Sequence, residues 1–264
     1  MARVSIKDIA NLKKAKKPWV MITCYDALLA QVFDRSQIPV LLVGDSAATV
    51  VYGYENTVPI TVEEMLPLVA AVSRGSSNAL VVADLPFGSY QISAEQALST
   101  ATKFIKHGAN AVKLEGGQRI VNQVKTLVDA GIAVMGHIGL TPQSINALGG
   151  YSVQGRGEQH QQLIDDAKEL EAAGAFAIVL EVIPANLASE ITQSIAIPTI
   201  GIGAGADTDA QVIVWQDLLG LTPDPAPKFV KRYAQLDEQI SQVIKKFQED
   251  VENKIYPDQS HWYQ

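Results

Sequence analysis

Short apolar segments alternate with amphipathic ones along most of this 264-residue chain. Of all the sequence features, this alternation restricts the possible folds most strongly. Each repeat has the same order: a helix ends at a glycine, an apolar run follows, and the run stops at a polar residue. Four such runs follow Gly75, Gly108, Gly131 and Gly174. Continuous apolar strands alternating with amphipathic helices are typical of a parallel sheet covered by helices. The unequal spacing of the repeats excludes a solenoid of fixed period.

Eight apolar runs are predicted to be strands: 19–24, 39–43, 79–84, 110–115, a run ending at His137, 176–181, 197–202 and 212–215. Eight strand–helix units in about 250 residues match the size of a closed (β/α)8 barrel. An open, doubly wound sheet is the alternative, but it seldom needs eight strands. We therefore predict an α/β chain that forms a single (β/α)8 TIM-barrel domain over residues 1–264.

Two terminal segments fall outside the repeating pattern. Residues 5–8 have capping-box spacing, which predicts a leading helix within residues 1–18. A stiff, proline-rich linker (223–227) precedes a C-terminal helix and tail, predicted over residues 233–264. An apolar stripe on that helix predicts a core contact or a subunit interface; its residues are Leu236, Ile240, Val243, Ile244, Phe247 and Val251.

Composition excludes several classes of function. The formal charge of -7 and the pI near 5.1 argue against a nucleic-acid partner, whose phosphates require a basic surface. A single cysteine, Cys24, excludes an intrachain disulfide framework and a cysteine-based zinc cluster. We find neither an apolar run long enough to span a membrane nor a secretory signal, and we expect a cytoplasmic protein.

The run 110–117 carries two opposite charges in a strand that should be buried. The two-residue period of a strand places Lys113 and Glu115 on one side and Val112 and Leu114 on the other. Isolated buried charges cost several kcal/mol unless they are paired or bind a metal. Two interpretations remain for this segment alone, a buried ion pair or a polar centre at the mouth of the barrel.

Five polar residues occupy equivalent positions at the carboxyl ends of predicted strands: Asp45, Asp84, Glu115, His137 and Glu181. A single aspartate after a strand is more often a helix cap, and a single histidine is more often structural. Five together are hard to explain as caps, and active sites of (β/α)8 barrels lie at this rim. Converging carboxylates repel each other unless a cation or protons are taken up.

Three hard oxygen ligands suit Mg²⁺ better than zinc, and such a cation can chelate a 2-oxo acid and stabilise its enolate. Lys113 would then meet the negative charge of the substrate. Ser46 offers a hydroxyl and an amide for a carboxylate, and it lacks the Gly-x-Ser-x-Gly setting of a serine nucleophile. Glu181 is free to act as a general base.

Glycines follow the seventh predicted strand at positions 201, 203 and 205. (β/α)8 barrels often bind phosphate at this corner, so a phosphate site is one interpretation. The third glycine comes one residue too early for a dinucleotide fingerprint. A tight turn, or close backbone approach to a flat ligand, is the interpretation we favour.

Several of these motifs together resemble the ketopantoate hydroxymethyltransferase family. The resemblance runs in order from about residue 22 to the end of the chain. It is carried by Val43-Gly44-Asp45-Ser46, Ala83-Asp84-Leu85-Pro86-Phe87, Val112-Lys113-Leu114-Glu115-Gly116-Gly117, Gly136 to Ser144, Gly149 to Arg156, Leu180-Glu181 and Ile200 to Gly205.

The resemblance implies a transferase of pantothenate biosynthesis that assembles as a homodecamer. It implies transfer of a hydroxymethyl group from 5,10-methylenetetrahydrofolate to 3-methyl-2-oxobutanoate, giving 2-dehydropantoate. It implies one Mg²⁺ per subunit and the following residue roles. The metal ligands match Asp45, Asp84 and Glu115; the substrate contacts match Asp45, Ser46, Asp84 and Lys113; the proton acceptor matches Glu181; and His137 lines the pocket near the one-carbon group.

Two other functions are compatible with a metal-centred barrel. One is a carbon–carbon or phosphorus–carbon lyase of the isocitrate lyase and phosphoenolpyruvate mutase group. Such lyases usually carry a catalytic cysteine in a lid loop, whereas Cys24 lies in the first predicted strand. The other is a non-catalytic barrel that binds a metabolite. Isotope exchange at C3 of the 2-oxo acid, without folate, would separate the enzyme from the binder.

Overall fold

The computed structural model describes residues 3–263. The chain forms two compact units, the first ending at Val214 and the second beginning at Trp215. Positions 1, 2 and 264 of the predicted terminal segments lie outside the described residues. The assignment of residues 1–264 to a single domain stays a prediction.

The first unit is a closed barrel of eight parallel strands in sequential order, which confirms the predicted (β/α)8 TIM-barrel fold. The strands are β1 (Trp19–Thr23), β2 (Val40–Val43), β3 (Leu80–Asp84), β4 (Ala111–Glu115), β5 (Ala133–Gly139), β6 (Ala177–Glu181), β7 (Thr199–Ile202) and β8 (Ala210–Ile213).

Helices surround these strands. They are α1 (Ile6–Lys14), α2 (Ala27–Arg35), α3 (Ala47–Val50), α4 (Val62–Gly75), α5 (Ala94–Lys106), α6 (Val121–Asp129), α7 (Ile145–Leu148), α8 (Gln159–Ala172) and α9 (Ala185–Ser194). Short 3-10 turns occupy Gln118–Ile120 and Pro142–Ser144. The second unit contains α10 (Trp215–Leu218), α11 (Leu236–Glu252) and a 3-10 turn at Gln259–His261.

The leading helix α1 is confirmed and packs against the barrel core. Ser5 and Asp8 form the predicted capping box, in which each side chain accepts a hydrogen bond from the other residue's amide. Ile9 is fully buried in the same apolar cluster as the inward-facing side chains of the strands. Lys13 Nζ donates to the Thr192 carbonyl and pairs with Asp209 at 3.0 Å. Apolar burial and an ion pair therefore both attach α1 to the first unit.

The predicted strand boundaries differ from the structure by one or two residues, and the two-residue differences are in β5, β7 and β8. β5 runs past His137 to Gly139, so His137 lies inside the strand rather than at its end. β7 begins at Thr199 because Pro198, in the predicted 197–202 run, has no amide hydrogen to give the sheet. β8 is shifted by two residues from 212–215, and Trp215 begins α10.

The second unit is described by its helices alone. No residue of α11 is buried, and the predicted apolar stripe is exposed at Ile240, Val243, Ile244, Phe247 and Val251. Of the two predicted roles for this stripe, a core contact is wrong for the chain as described, and a subunit interface stays a prediction. No helix among residues 3–263 combines the length and apolarity needed to cross a bilayer.

Asp34, near the end of α2, forms hydrogen bonds that hold the turn between α4 and β3 against α2. Its buried carboxylate accepts hydrogen bonds from the Ser76 hydroxyl (2.7 Å), the Asn78 side-chain amide (2.8 Å) and the Ala79 amide (2.9 Å), and from Ser77. Burial raises the pKa of Asp34, but these hydrogen bonds outweigh it and hold the pKa well below its usual range. The carboxylate is therefore charged and fully used as an acceptor.

We predict that Asp34→Ala lowers the free energy of unfolding by about 3 kcal/mol, because several buried donors lose their acceptor. Because the folded-state pKa lies below the unfolded one, this contribution is complete above about pH 5 and is lost as the pH falls through the folded-state pKa. Chemical denaturation measures both effects. Asp129→Ala, at an exposed i,i+4 pair with Lys125, is the control and should change stability by less than about 0.5 kcal/mol. Equal losses in the two variants would contradict the role of Asp34.

Candidate active site

The strand register brings the predicted polar residues to one end of the barrel. Asp84 pairs in register with Lys113, and Glu115 pairs with His137. Asp45 follows β2 by two residues, and its amide donates to Asp84 Oδ2 at 3.0 Å. These five residues are each at most 6% exposed, although each is polar or charged: Asp45, Asp84, Lys113, Glu115 and His137. The structure therefore assembles a buried charged cluster at the rim where barrel active sites lie.

Lys113 is the cation at the centre of this cluster. Its Nζ lies 2.7 Å from Asp84 Oδ1 and 3.0 Å from His137 Nδ1. Burial lowers the pKa of Lys113, but the carboxylates of Asp84, Glu115 and Asp45 raise it above its usual range. The predicted orientation of Lys113 and Glu115 toward the same side of β4 agrees with this shared cluster.

The three carboxylates do not share the same electrostatic setting. Burial, then repulsion from Asp84 and Glu115, raises the pKa of Asp45 well above its usual value. Burial also raises the pKa of Asp84, against the attraction of Lys113. For Glu115 burial acts in the same direction, but His137 and Lys113 outweigh it and lower the pKa. Ionisation is therefore disfavoured at Asp45 and Asp84 and favoured at Glu115.

His137 joins the cluster to Glu181. Its Nδ1 lies 3.4 Å from Glu115 Oε1, and its Nε2 lies 3.2 Å from Glu181 Oε2. Burial and Lys113 lower the pKa of His137, but the Glu115 and Glu181 carboxylates raise it to about 9. Because an ammonium group only donates, the 3.0 Å contact with Lys113 Nζ is a hydrogen bond only when Nδ1 is unprotonated. Below its raised pKa, His137 carries a proton on each ring nitrogen, and Glu115 is the acceptor near Nδ1. Lys113 then keeps Asp84 Oδ1 as its acceptor at 2.7 Å.

Glu181, at the end of β6, is the least buried member of the group, with a side chain 16% exposed. The next residue, Val182, has φ of 47°, a left-handed conformation that is strained for a β-branched side chain. Backbone hydrogen bonds hold it there: its amide donates to the Ile202 carbonyl, and its carbonyl accepts from the Gln154 amide. Backbone strain of this kind concentrates at functional sites. No sequence pattern predicted the strained conformation of Val182.

Ser46 lies beside the cluster and has a partner that the sequence did not reveal. The hydroxyl groups of Tyr25 and Ser46 are 2.8 Å apart, and Tyr25 is buried. Burial raises the pKa of Tyr25 above its usual value, so its phenol stays neutral. Tyr25 thereby fixes the position of the Ser46 side chain.

Gln143 is a second site residue for which sequence reasoning predicted no role. It lies in the 3-10 turn after β5, and its side-chain amide donates to Asp45 Oδ2 at 2.9 Å. Its backbone amide donates to Glu115 Oε2 at 3.0 Å. The residue falls within the Gly136–Ser144 motif, but a glutamine in a loop carries no pattern that points to such contacts.

The donor chemistry of the cluster fits a divalent cation of the Mg²⁺ type. Asp45, Asp84 and Glu115 supply hard carboxylate oxygens. Asp84 Oδ1 is buried without a well-formed hydrogen bond, although Lys113 Nζ lies close to it. As the side chains stand, no three His, Cys, Asp or Glu residues within the range 3–263 are arranged to hold a metal ion. Lys113 and His137 balance the carboxylates in this arrangement.

The glycines after β7 form a tightly packed turn, in agreement with the interpretation favoured from the sequence. Gly203 and Gly205 have φ of 63° and 82°, values that L side chains seldom adopt. A Cβ atom at Gly205 would lie 2.5 Å from the Ala185 side chain. Backbone geometry and close packing therefore account for these glycines.

Cys24 has no features of a catalytic thiol. It is fully buried, and its Sγ contacts the Asp26 carbonyl at 3.5 Å. Burial raises the pKa of the Cys24 thiol to about 12, so the nucleophilic thiolate is not formed near neutral pH. Cysteine-dependent lyase chemistry therefore has no group to perform it in the described chain.

Solved structures with the same fold have very different sequences. Phosphonopyruvate hydrolase, solved as a complex with oxalate and Mg²⁺, superposes with a TM-score of 0.65 at 11% identity, covering 100% of this chain and 92% of that one. Phosphoenolpyruvate phosphomutase from Streptomyces platensis subsp. rosaceus gives a TM-score of 0.63 at 14% identity, covering 95% and 88% of the two chains. At such low identity these likenesses establish the barrel fold alone.

Sequence comparison is far more specific. The 3-methyl-2-oxobutanoate hydroxymethyltransferase of Thermobifida fusca is 59% identical over 99% of this chain and 94% of its own length. The enzyme of the same name from Frankia alni is 57% identical over 99% of this chain and 87% of its own. The family model described as ketopantoate hydroxymethyltransferase matches residues 3–259. The chain therefore belongs to the ketopantoate hydroxymethyltransferase family of transferases.

Proposed function

We propose that the chain transfers a hydroxymethyl group from 5,10-methylenetetrahydrofolate to 3-methyl-2-oxobutanoate, giving 2-dehydropantoate for pantothenate synthesis. Family membership supports the hydroxymethyl transfer and the 2-oxo acid substrate named for the relatives. The observation that carries the proposal is the buried cluster of three carboxylates with one lysine at the carboxyl end of the barrel. Few chemical tasks other than holding a cation and an anionic substrate require such a cluster.

The proposed cation is one Mg²⁺ per subunit, held by Asp45, Asp84 and Glu115. When bound, Mg²⁺ would polarise the 2-oxo group and lower the pKa of the C3 proton. A cation at this position would offset the burial and the carboxylate repulsion that raise the pKa values of Asp45 and Asp84, which supports its placement there.

The substrate is proposed to contact Asp45, Ser46, Asp84 and Lys113. The Lys113 ammonium supplies the positive charge that an anionic 2-oxo acid needs in a buried site. Ser46 contributes a hydroxyl group whose position Tyr25 fixes through their 2.8 Å contact. Water is excluded because these residues are buried or half-buried, and exclusion strengthens the electrostatic interactions.

Glu181 is proposed to remove the C3 proton, since its carboxylate is the most open of the cluster and lies at its edge. His137, whose Nε2 lies 3.2 Å from Glu181 Oε2, is proposed to pair with that carboxylate when protonated and to line the pocket near the one-carbon group. The C3 carbanion then attacks the methylene carbon of the folate. The new carbon–carbon bond forms as one of the two carbon–nitrogen bonds to that carbon breaks, and its nitrogen takes the electron pair and a proton. Water then displaces the second nitrogen, which also takes up a proton, and supplies the hydroxyl oxygen, releasing 2-dehydropantoate and tetrahydrofolate.

A cytoplasmic homodecamer is the assembly we propose. The family resemblance supports it, and so does the exposed apolar face of α11, which includes Val243, Ile244 and Phe247. Exposed faces of this kind mark interaction surfaces, and the proposed occupant is a second copy of the chain. Light scattering coupled to size-exclusion chromatography measures the number of subunits.

Proton exchange without folate tests the proposal. With Mg²⁺ in heavy water, the protein should exchange the C3 proton of 3-methyl-2-oxobutanoate, and the methyl doublet in the proton spectrum should collapse. Chelation of the metal should stop the exchange, because the C3 proton then keeps its ordinary, high pKa. Added 5,10-methylenetetrahydrofolate should yield 2-dehydropantoate. Binding of the 2-oxo acid without exchange would make the protein a binder rather than this enzyme.

A further inference from the structure

We propose that Gln143 is a positioning residue, which fixes Asp45 and Glu115 in the orientation that accepts a cation and couples the loop after β5 to occupancy of the site. This inference rests on the proposed function, because it concerns the same carboxylates. It adds a residue to which the family motif assigns no role, together with a mechanical link between a loop and the charged cluster.

The contacts of Gln143 reach three other chain segments: the turn after β2, the loop after β3 and the end of β4. Its Nε2 donates to Asp45 Oδ2 at 2.9 Å and to the Leu85 carbonyl at 3.0 Å, while its backbone amide donates to Glu115 Oε2 at 3.0 Å. Its Oε1 accepts from the Tyr90 hydroxyl at 2.7 Å. Gln143 is 4% exposed, so none of these partners can be replaced by bulk water.

The neighbours of the side-chain amide fix its orientation. Asp45 Oδ2 and the Leu85 carbonyl are both acceptors, so the NH₂ group must face them. The opposite orientation would place Oε1 against two oxygens. The Tyr90 hydroxyl accepts from the Glu115 amide at 3.1 Å. Its single proton faces two acceptors, Gln143 Oε1 at 2.7 Å and the Glu115 carbonyl at 3.1 Å, and the contact with Gln143 is the shorter. Tyr90 therefore holds Gln143, and Gln143 holds the carboxylates.

Gln143 engages one oxygen of each carboxylate. On Asp45 it occupies Oδ2, and on Glu115 it occupies Oε2. The second oxygen of Glu115, Oε1, faces His137 Nδ1 at 3.4 Å. Hydrogen bonds of this kind orient carboxylates that bind metals, and losing one typically costs 10- to 100-fold in metal affinity.

Mobility of the loop should depend on the same contacts. Gln143 belongs to the short turn Pro142–Ser144, which is followed directly by α7. The hydrogen bonds from Gln143 to Asp45 and Glu115 attach this turn to the barrel mouth. A cation that immobilises these carboxylates should therefore also protect the backbone amides of residues 141–148 from exchange.

Mn²⁺ binding to the protein without substrate tests this role, with electron paramagnetic resonance as the readout. Gln143→Met keeps the length of the side chain and removes its donors, while the backbone amide can still donate to Glu115. We expect a 10- to 100-fold loss of Mn²⁺ affinity from the lost contact with Asp45. Tyr90→Phe leaves the donors of Gln143 in place and should cost about fivefold, the value of one neutral hydrogen bond. Hydrogen exchange should show Mn²⁺-dependent protection of residues 141–148 in the wild type and not in Gln143→Met.

Gln154→Met is the matched control. Gln154 is also a buried loop glutamine, but its side chain donates to the Ser152 carbonyl and hydroxyl rather than to a carboxylate. It should bind Mn²⁺ as tightly as the wild type. Equal Mn²⁺ affinity in the wild type and Gln143→Met would overturn the role of Gln143 and leave the proposed function standing. Absence of Mn²⁺ binding in the wild type would overturn both, and if Gln143→Met does not fold, unchanged affinity in Tyr90→Phe overturns the inference.

Discussion

Glu181→Gln is expected to slow exchange of the C3 proton of 3-methyl-2-oxobutanoate by about 10³-fold, the usual contribution of a general base. The substitution preserves the shape of the side chain and removes its capacity to accept a proton. The side chain of Glu181 lies at the open edge of the cluster, 3.2 Å from His137 Nε2, and an amide oxygen can keep that contact. Affinity for the 2-oxo acid should therefore change by less than about threefold, since Glu181 makes none of the proposed substrate contacts.

Proton exchange in heavy water with Mg²⁺ and without folate measures the rate, and calorimetry measures the affinity. Glu190→Gln is a matched control, because Glu190 is an exposed glutamate that pairs with His160 on the outer helices. The control should exchange at the wild-type rate. Exchange that persists in Glu181→Gln would eliminate Glu181 as the base.

Asp84→Asn should abolish both Mn²⁺ binding and transfer, with a loss of at least about 100-fold in affinity, because an amide oxygen is a much poorer ligand for a hard cation. Asp84 also pairs with Lys113 at 2.7 Å and accepts from the Asp45 amide. Removing its charge leaves Lys113 with fewer partners in a buried position, which lowers stability as well. The loss of metal affinity is the readout that a purely structural role would not produce.

The measurement is a Mn²⁺ titration by electron paramagnetic resonance, combined with thermal unfolding. Asp129→Asn serves as the control, because Asp129 is a surface residue in an exposed pair with Lys125. It should leave both measurements unchanged. Wild-type Mn²⁺ affinity in a folded Asp84→Asn protein would remove Asp84 from the proposed ligands.

The fold was predictable because its determinants are local and periodic. Each strand–helix unit has the same sequence pattern: a helix ends at a glycine, and an apolar run and a polar residue follow. The closed barrel of eight strands confirms the predicted number of units. Strand ends were less predictable, since β8 begins two residues before the predicted run. Backbone hydrogen bonds to the neighbouring strands determine where a strand begins and ends, and the sequence of one strand does not identify those partners.

The site was predictable only where strand topology dictates position. Asp84 and Glu115 end their strands, so the barrel alone brings them together. Gln143 and Tyr25 reach the site from a loop turn and from the end of β1, and their roles depend on side-chain contacts with residues distant in sequence. The strain at Val182 depends on backbone hydrogen bonds from two other segments. None of these features has a periodic or spacing signature.

A crystal structure of the protein with Mg²⁺ and 3-methyl-2-oxobutanoate would decide whether the charged cluster is a metal-binding catalytic centre. We predict one cation in contact with oxygens of Asp45, Asp84 and Glu115, with the 2-oxo acid beside Lys113 and Ser46 and its C3 facing Glu181. Two results would contradict the proposed chemistry. One is a cation bound elsewhere. The other is a 2-oxo acid bound at this end of the barrel while Lys113 still lies among the three carboxylates.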